Sequence, residues 1–489
     1  MNDLLERLIS TLNSLVWSTP LVVLCLLAGL YFSFGTRFVQ VRHLGEMARL
    51  LFRNDKEQKM GVTSFQAFAM ALSGRVGTGN IVGVATAIGY GGPGAIVWMW
   101  IISFFGAGSA FTEATLAQIY KEEHNGEFRG GPAYYIEKGL HAKWLGWVFA
   151  LCAVVACGVF LPPVQANGIA QSFAQTFDIA PWIVGIGIAL LLGFVVIGGV
   201  KRIANWAQVI APVMAILYIL LAVVILVIHA SDVPAVFSEM IRSAFDFRGI
   251  SGGVIGATIA WGVKRGIYSN EAGQGTGPIV AAAAKVSHPV KQGLVQAFSV
   301  YVDTLLVCTA TAVMILACKT YNLYLPDGSR AFVSPIAELG EPGVGYTIAA
   351  VGTFLGANWA GIIISFALLF FAFTTIMAYY YYAETNIVYL FGKGRKWKLA
   401  LWVLRICVIG MVIFGSMKEA KIIWDLGDIG VGTMAWINIV VILLLSPKAL
   451  RVLKDYERQQ REKKNPIFNP QELKITRATF WENQVSDNE

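Results

Sequence analysis

"SGRVGTGNIVG", residues 73–83, lies between "FQAFAMAL" and "VATAIGYGG", two stretches apolar enough for a membrane helix. Gly74, Gly77, Gly79 and Gly83 loosen the helix between them, and Arg75 places a full charge at what reads as bilayer depth. A glycine costs a helix interior about 1 kcal/mol relative to alanine. Lipid offers no partner for the backbone groups that a break sets free. Such a break is tolerated only where protein, water or a ligand takes those groups. The stretch therefore predicts a discontinuous helix wrapped around a polar site.

The rest of the chain supports a membrane setting. Of 489 residues, 56% are apolar and only 14% charged, and the mean hydropathy is +0.61; an ordinary soluble domain carries about 25% charged residues. Runs such as "PVMAILYILLAVVILVI" (212–228), with their flanks, mark spanning helices. Eleven spans are expected, at about 14–36, 64–91, 94–119, 144–177, 181–200, 203–229, 251–284, 293–317, 358–391, 399–416 and 420–446. The net charge of +8 follows topology: 27 of the 38 Lys and Arg fall in alternate loops and the tail, and seven in the intervening ones. That asymmetry places the amino terminus outside and the carboxyl terminus in the cytoplasm of a multi-pass plasma-membrane protein. The partner of the basic residues is thus the lipid bilayer, and a nucleic-acid footprint is excluded.

The first apolar segment lacks a basic leader and a small-residue cleavage site, and reads as a retained span. The six cysteines lie in or beside apolar spans without metal spacing, as small buried hydrophobes. Residues 38–59, with Val41, Leu44, Ala48, Leu51 and Phe52 on one face, predict a helix on the inner membrane surface. The tail after Ser446 is polar and charged, and is expected to be only partly ordered.

Repeats decide the architecture. "GTGNIV" (77–82) returns as "GTGPIV" (275–280), and "KRIANW" (201–206) is loosely echoed by "KEAKIIW" (418–424). The expected fold is an all-α polytopic membrane protein. One extra helix (with the surface helix, 1–63) precedes a 5+5 inverted-repeat transporter core, 64–229 and 230–446, followed by a polar cytoplasmic tail, 447–489. A break in the first helix of each half offers free amides on one side and free carbonyls on the other. An amino acid suits that pair, its carboxylate on amides and its ammonium on carbonyls. Gly77, Ile267 and the pair Thr374–Thr375 fall near the centres of their spans, at the bilayer midplane.

At these residues the chain resembles a known family. "GTGNIVGVATAIGYGGPGAIVWMW" (77–100), "GGPAYYIEKGL" (130–140), "YSNEAGQGTGPI" (268–279) and "DTLLVCTATA" (303–312) are similar to the alanine or glycine:cation symporters of the amino acid–polyamine–cation superfamily. The resemblance covers roughly residues 10–450. It implies inward transport of a small neutral amino acid with sodium, without a cofactor or enzymatic activity. It places the substrate carboxylate on the amides of Thr78 and Gly79, with Asn80 and Gln165 reaching the substrate. The ammonium would face carbonyls near Gly266 and Ile267, with Asn270 close by. Sodium would take carbonyls at Ser73 and Val76 and the hydroxyls of Thr374 and Thr375, Thr375 also bordering the substrate. Four residues after Thr375, where the family pattern has tryptophan, stands Tyr379, which changes the pocket's size. Glutamine as substrate, or a proton as coupling ion, remains the alternative within the same carrier class.

Competing readings are weaker. Gly79 and Gly83 have the GxxxG spacing of helix packing, but packing does not call for Arg75 or the echo in the seventh span. The stretch has one residue too many for GxGxxG, no preceding strand and no Walker lysine. Arg75 costs about 2.5–3.5 kcal/mol at a helix centre, so Glu113, Glu271 or Asp303 is expected to pair with it, or free carbonyls to receive it. Lys264 and Arg265 flank the second break and suit a wide outer vestibule. "GISG" (249–252) matches an intramembrane serine hydrolase motif at Ser251, with His229 as the candidate base. A passive channel is the other rival.

Overall fold

The computed structural model describes residues 2–52, 61–245, 253–325, 327–336, 338–392 and 396–486. Ser251 and residues 53–59 of the expected surface helix lie outside them. The amino end forms α1 (Asn2–Val16) and α2 (Thr19–Gly35), then the short α3 (Val39–Arg42) and α4 (Leu44–Phe52). Thr63 and Gln66 form a reciprocal capping box that starts α5 (Ser64–Arg75). After the break come a π-helical turn (Gly79–Gly83), α6 (Val84–Gly91) and α7 (Gly94–Ile119). An antiparallel hairpin, β1 (Glu122–His124) and β2 (Glu127–Arg129), leads to α8 (Pro132–Leu140). The chain continues through α9 (Lys143–Val155), a π turn (Ala156–Phe160), α10 (Leu161–Phe177), α11 (Pro181–Val196), α12 (Gly199–Ile228) and α13 (Val233–Phe245).

The second interrupted helix is α14 (Gly253–Asn270) and α15 (Gly277–Ala283), separated by residues 271–276. There follow α16 (Pro289–Tyr301), a π segment (Val302–Cys308), α17 (Thr309–Ala317), the small hairpin β3 (Leu323–Tyr324) and β4 (Arg330–Phe332), and α18 (Val344–Leu355). Three long helices, α19 (Ala357–Phe391), α20 (Lys396–Met417) and α21 (Ala420–Arg461), and the short α22 (Thr479–Ser486) complete the chain.

Among the described residues, eight helical stretches are long and apolar enough to cross a membrane. The other three expected spans are the two interrupted helices and the 16-residue α11. The outer surface is apolar: Leu190, Val227 and Ile406 are about 70% exposed. Water would penalise that belt; lipid solvates it. The interior is polar around the breaks, where Arg75, Glu113, Glu271 and Asp303 are all buried.

Two expectations change. The amino-terminal apolar stretch Glu6–Gly35 is broken at residues 17–18, where the amphipathic α1 gives way to α2 with Pro20 in its first turn and Trp17 donates to the Asp428 carbonyl. The tail is ordered: α21 runs on to Arg461, and Phe468, Ile475, Ala478 and Trp481 are buried. Trp481 donates to the Gln118 carbonyl (2.8 Å). Lys121, buried at the end of α7, lies 4.6 Å from the rings of Phe128 and Phe480 and 5.0 Å from Trp481, and donates to the Ala284 carbonyl. Composition averaged over the tail hides a few widely spaced apolar anchors that meet preformed sockets. Of the surface-helix residues, Val41, Leu44 and Phe52 face outward, while Leu51 packs inward with Met47 and Leu50.

Trp481→Ala is expected to undock the tail, since large-to-small changes at buried aromatics cost about 3–5 kcal/mol. Limited proteolysis reads this directly. Cleavage between 462 and 486 should accelerate; an unchanged digestion pattern would remove the aromatic clamp from the account.

Candidate functional site

At the first break, α5 ends because Val76 turns extended (φ −81°, ψ 93°). Its last carbonyls then face α19. The Thr375 hydroxyl lies 2.7 Å from the Ser73 carbonyl, 3.2 Å from that of Val76 and 3.0 Å from that of Phe371. One hydroxyl hydrogen can serve only one of these at a time. Three carbonyls and a hydroxyl around a single proton make an acceptor-rich nest, which a small cation suits. Thr374 borders it through one of these carbonyls, its hydroxyl donating to the same Phe371 carbonyl within its own helix (2.9 Å).

The amide side of the break is occupied from within. Gln165 Oε1 accepts from the Thr78 amide (2.9 Å) and the Thr78 hydroxyl (3.0 Å). Asn80 Oδ1 accepts from the Gly77 amide (2.8 Å). Space here is tight: a Cβ on Gly77 would lie 2.5 Å from Thr375 Oγ1 and 2.7 Å from Gln165 Oε1. Packing, as well as helix breaking, requires glycine there. Gly79 lies beside Tyr268 and Ser269 of α14.

The second break falls at 271–276, beyond Gly266 and Ile267, which stay helical. Ile267's carbonyl accepts from the Glu271 amide (3.0 Å), and Gly266 is the close approach of α14 to Ile102 of α7. The loop is left-handed at Glu271 (φ 56°), Gly273 (φ 78°) and Gly275 (φ 93°). Three helices hold it. Glu113 accepts from the Gly273 amide (3.1 Å), and Asn438 donates to the Gly273 carbonyl (2.9 Å) and to Glu113 (2.8 Å). Tyr135 donates to Asn438 in turn. Asn270 accepts from the Ala272 amide, leaving its buried side-chain NH2 without a partner among the described residues.

Arg75 joins the two breaks. Its Nε donates to the Asn270 carbonyl (2.7 Å), and Nη1 to Gln296 (3.1 Å) and Ser299. Thus the last residue of α5 caps the last residue of α14. None of Glu113, Glu271 and Asp303, expected as its counter-ions, forms an ion pair with it within 4.0 Å among the described residues. Instead Glu271 accepts from Tyr382 (3.3 Å), and Asp303 from Asn80 (2.7 Å), Ser269 (2.9 Å) and Thr304 (2.8 Å). Tyr379 is buried, its ring 6.0 Å from that of Tyr382.

Beside the breaks lies a layer built on Lys264 and Arg265, whose place the sequence left open. Arg265 forks onto Asp428 (2.8 and 3.2 Å), which Lys264 also contacts at 2.7 Å. The Arg265 guanidinium sits 4.6 Å from the Trp424 ring, itself 5.0 Å from Tyr268. Lys264 and Arg265 therefore share the one carboxylate of Asp428 in a packed layer. Asp428 carried a legible signal, an acidic residue inside the apolar span 420–446. Ser269, Gln296 and Ser299 carried none, because an isolated hydroxyl or amide in a span reads as helix glue.

Two interrupted helices, joined through Arg75 and sealed by an aromatic and ionic lid, define a multi-pass membrane transporter. A crystal structure of MhsT in complex with L-phenylalanine shares this fold, with a TM-score of 0.56 at 14% identity over 81% of this chain and 99% of that one. The family model of the sodium:alanine symporters matches residues 1–470, and the chain belongs to that family. Among its relatives, the putative sodium/proton-dependent alanine carrier protein YrbD of Bacillus subtilis is 55% identical over 98% of both chains. The probable sodium/glutamine symporter GlnT of the same organism is 42% identical over 97% of this chain and 95% of its own.

Proposed function

We propose that the chain takes up a small neutral amino acid, alanine or glycine, by sodium symport through alternating access, with its amino terminus outside and its carboxyl terminus in the cytoplasm. The acceptor-rich nest of Ser73, Val76 and Thr375 beside the amide of Thr78 carries the reading. Sodium takes the nest, and Thr374 completes it by rotating its hydroxyl from Phe371. The substrate carboxylate displaces Gln165 from Thr78 and lies along Gly79 and Asn80. Its ammonium turns toward the end of α14 at Asn270, past Gly266 and Ile267, with Tyr379 closing the side-chain end. Substrate thereby replaces an internal ligand of its own site, which couples binding to movement of α10 against the break. No covalent step and no cofactor are needed.

The tight packing at Gly77 supports a small substrate, and the nearer likeness to a relative named for alanine favours alanine over glutamine. One sodium ion descending about 100 mV releases roughly 2.3 kcal/mol, and a tenfold gradient adds about 1.4 kcal/mol. That is sufficient to concentrate a neutral amino acid several hundredfold.

Uptake into proteoliposomes under imposed sodium or proton gradients, with a panel of labelled amino acids, tests the proposal. Sodium-driven accumulation of alanine and glycine is expected. Accumulation of glutamine alone, proton drive without sodium, or mere equilibration as through a channel would each overturn it.

A further inference from the structure

Helices α2 and α21 meet along one seam: the Tyr31 and Ser446 hydroxyls lie 3.0 Å apart, and a Cβ on Gly35 would lie 3.5 Å from Leu450. Past that contact the seam opens into a cavity of about 340 Å³, within the range of small-molecule sites (about 300–1,000 Å³). Its wall is basic. Arg37 comes from the turn after α2, and Lys454, Arg458 and Arg461 stand on successive turns of α21. Both carboxylates of the wall are already engaged, Glu457 by Arg42 (2.7 Å) and Glu462 by Lys464 (2.7 Å). Arg458 is held by Asp455 (2.6 Å). Arg37, Lys454 and Arg461 are exposed, and their side chains make no hydrogen bond or ion pair among the described residues.

The turn that presents Arg37 is costly. Arg37 and Phe38, neither of them glycine, are both left-handed (φ 54° and 55°), a region that a Cβ disfavours. Arg42 pins the turn, donating to the Thr36 (3.0 Å) and Arg37 (2.6 Å) carbonyls while it holds Glu457. Backbone strain kept in place by such contacts clusters at ligand clamps. Toward the bilayer the seam is apolar. On α21, Val440, Leu443, Pro447 and Leu450 recur at helical spacing in line with Lys454 and Arg461, so one stripe turns from apolar to basic at the cavity. Leu27, Tyr31 and Phe34 form an exposed stripe of α2 that runs to the turn.

We propose that this cavity holds the headgroup of an anionic phospholipid, its phosphate on Arg37, Lys454 and Arg461 and its acyl chains along the apolar seam. Basic pockets between membrane helices recognise such headgroups. Three cations without partners around one cavity attract an anion, and the two stripes that lead into it suit hydrocarbon. An anionic lipid supplies both in one molecule. The lipid ties the extra amino-terminal helix to α21, whose Asp428 and Asn438 hold the ionic layer and the second break. The inference is independent of which amino acid or ion the carrier moves.

Native mass spectrometry of the full-length protein in detergent counts retained lipids. Dioleoyl phosphatidylglycerol is titrated in competition with dioleoyl phosphatidylcholine and, separately, with inorganic phosphate. One phosphatidylglycerol per chain is expected to stay bound where phosphatidylcholine is lost. A cation near a membrane surface is worth about fivefold in affinity. Arg37→Gln, Lys454→Gln and Arg461→Gln together should therefore weaken that binding about a hundredfold. Arg37→Gln alone, with a loss of about fivefold, serves if the triple variant fails to assemble. Lys201→Gln, Lys396→Gln and Lys398→Gln together remove the same charge away from the cavity and should leave the binding unchanged. An equal loss in that control reduces the effect to overall charge and overturns the site. Undiminished binding in the triple variant overturns it, as does equal retention of phosphatidylcholine. So does displacement of phosphatidylglycerol by inorganic phosphate, which would mark a site for a soluble anion.

Discussion

Thr375→Val is expected to lower sodium-dependent uptake by about two orders of magnitude, with the protein still inserted. Valine keeps the shape and removes the one group that answers the Ser73 and Val76 carbonyls. A buried acceptor left unsatisfied costs about 1–3 kcal/mol, and an ion there would also lose the Thr375 hydroxyl as a ligand. The geometry separates the two threonines. Thr374 bonds only within its own helix turn, so Thr374→Val should reduce uptake by less than about tenfold, the worth of roughly 1.4 kcal/mol. Sodium titration of both variants checks this. Equal losses would mean that the two hydroxyls share the ion equally; an unchanged sodium dependence in Thr375→Val would remove the nest from the ion path.

The second large effect concerns Arg75. Arg75→Met leaves the Asn270 carbonyl, Gln296 and Ser299 without their donor, and three buried carboxylates without any nearby cation. Removing one member of a buried charge system costs about 3–5 kcal/mol, so this variant should melt well below wild type or fail to accumulate in the membrane. Arg75→Lys is the informative companion. Lysine keeps the charge but cannot present the planar fork that meets three acceptors on two helices. Loss of one charge-assisted hydrogen bond, about 1.5–3 kcal/mol, predicts a folded carrier whose turnover falls roughly ten- to a hundredfold. Fluorescence-detected size exclusion reads the fold, and initial rates read the turnover. A lysine variant with wild-type rates would reduce Arg75 to a neutralising charge.

How much of this was legible in the sequence depended on the kind of signal. The glycines of 73–83 and their echo at 275–280 mark both breaks, because lipid makes a broken helix conspicuous. Val76 and Gly77 end α5 where the glycine pattern puts the break. The second break was harder to locate. The stretch 264–277, read as the second break, contains it, but the span midpoint at Ile267 falls in its helical part, since the helix runs on to Asn270 and apolar patterning says nothing about where the last hydrogen bond is made. Arg75 was visible as a charge in need of partners, and the choice of partners was not. Carboxylates are the strong signal in a sequence, whereas the guanidinium is held by a carbonyl, an amide and a hydroxyl that no pattern singles out. Gln165 was found through resemblance; its place on the Thr78 amide follows from α10 lying against the break. The tail was misread because its packing rests on a few spaced apolar side chains, Val452 and Tyr456 on α21 and Phe468 and Trp481 beyond it, in an otherwise charged stretch.

That tail has a consequence for how the molecule is made. Translation proceeds from the amino end, so residues 468–481 leave the ribosome after every membrane helix has been inserted. Until they arrive, Lys121 has the Ala284 carbonyl and the Phe128 ring but lacks the rings of Phe480 and Trp481, and the Gln118 carbonyl lacks the Trp481 indole. The ends of α7 and α15 that meet the tail are therefore finished last, by a segment outside the spanning helices. A chain that stops short of residue 468 would carry all its spanning helices and still leave the Lys121 ammonium without two of its three rings and the socket of Trp481 open.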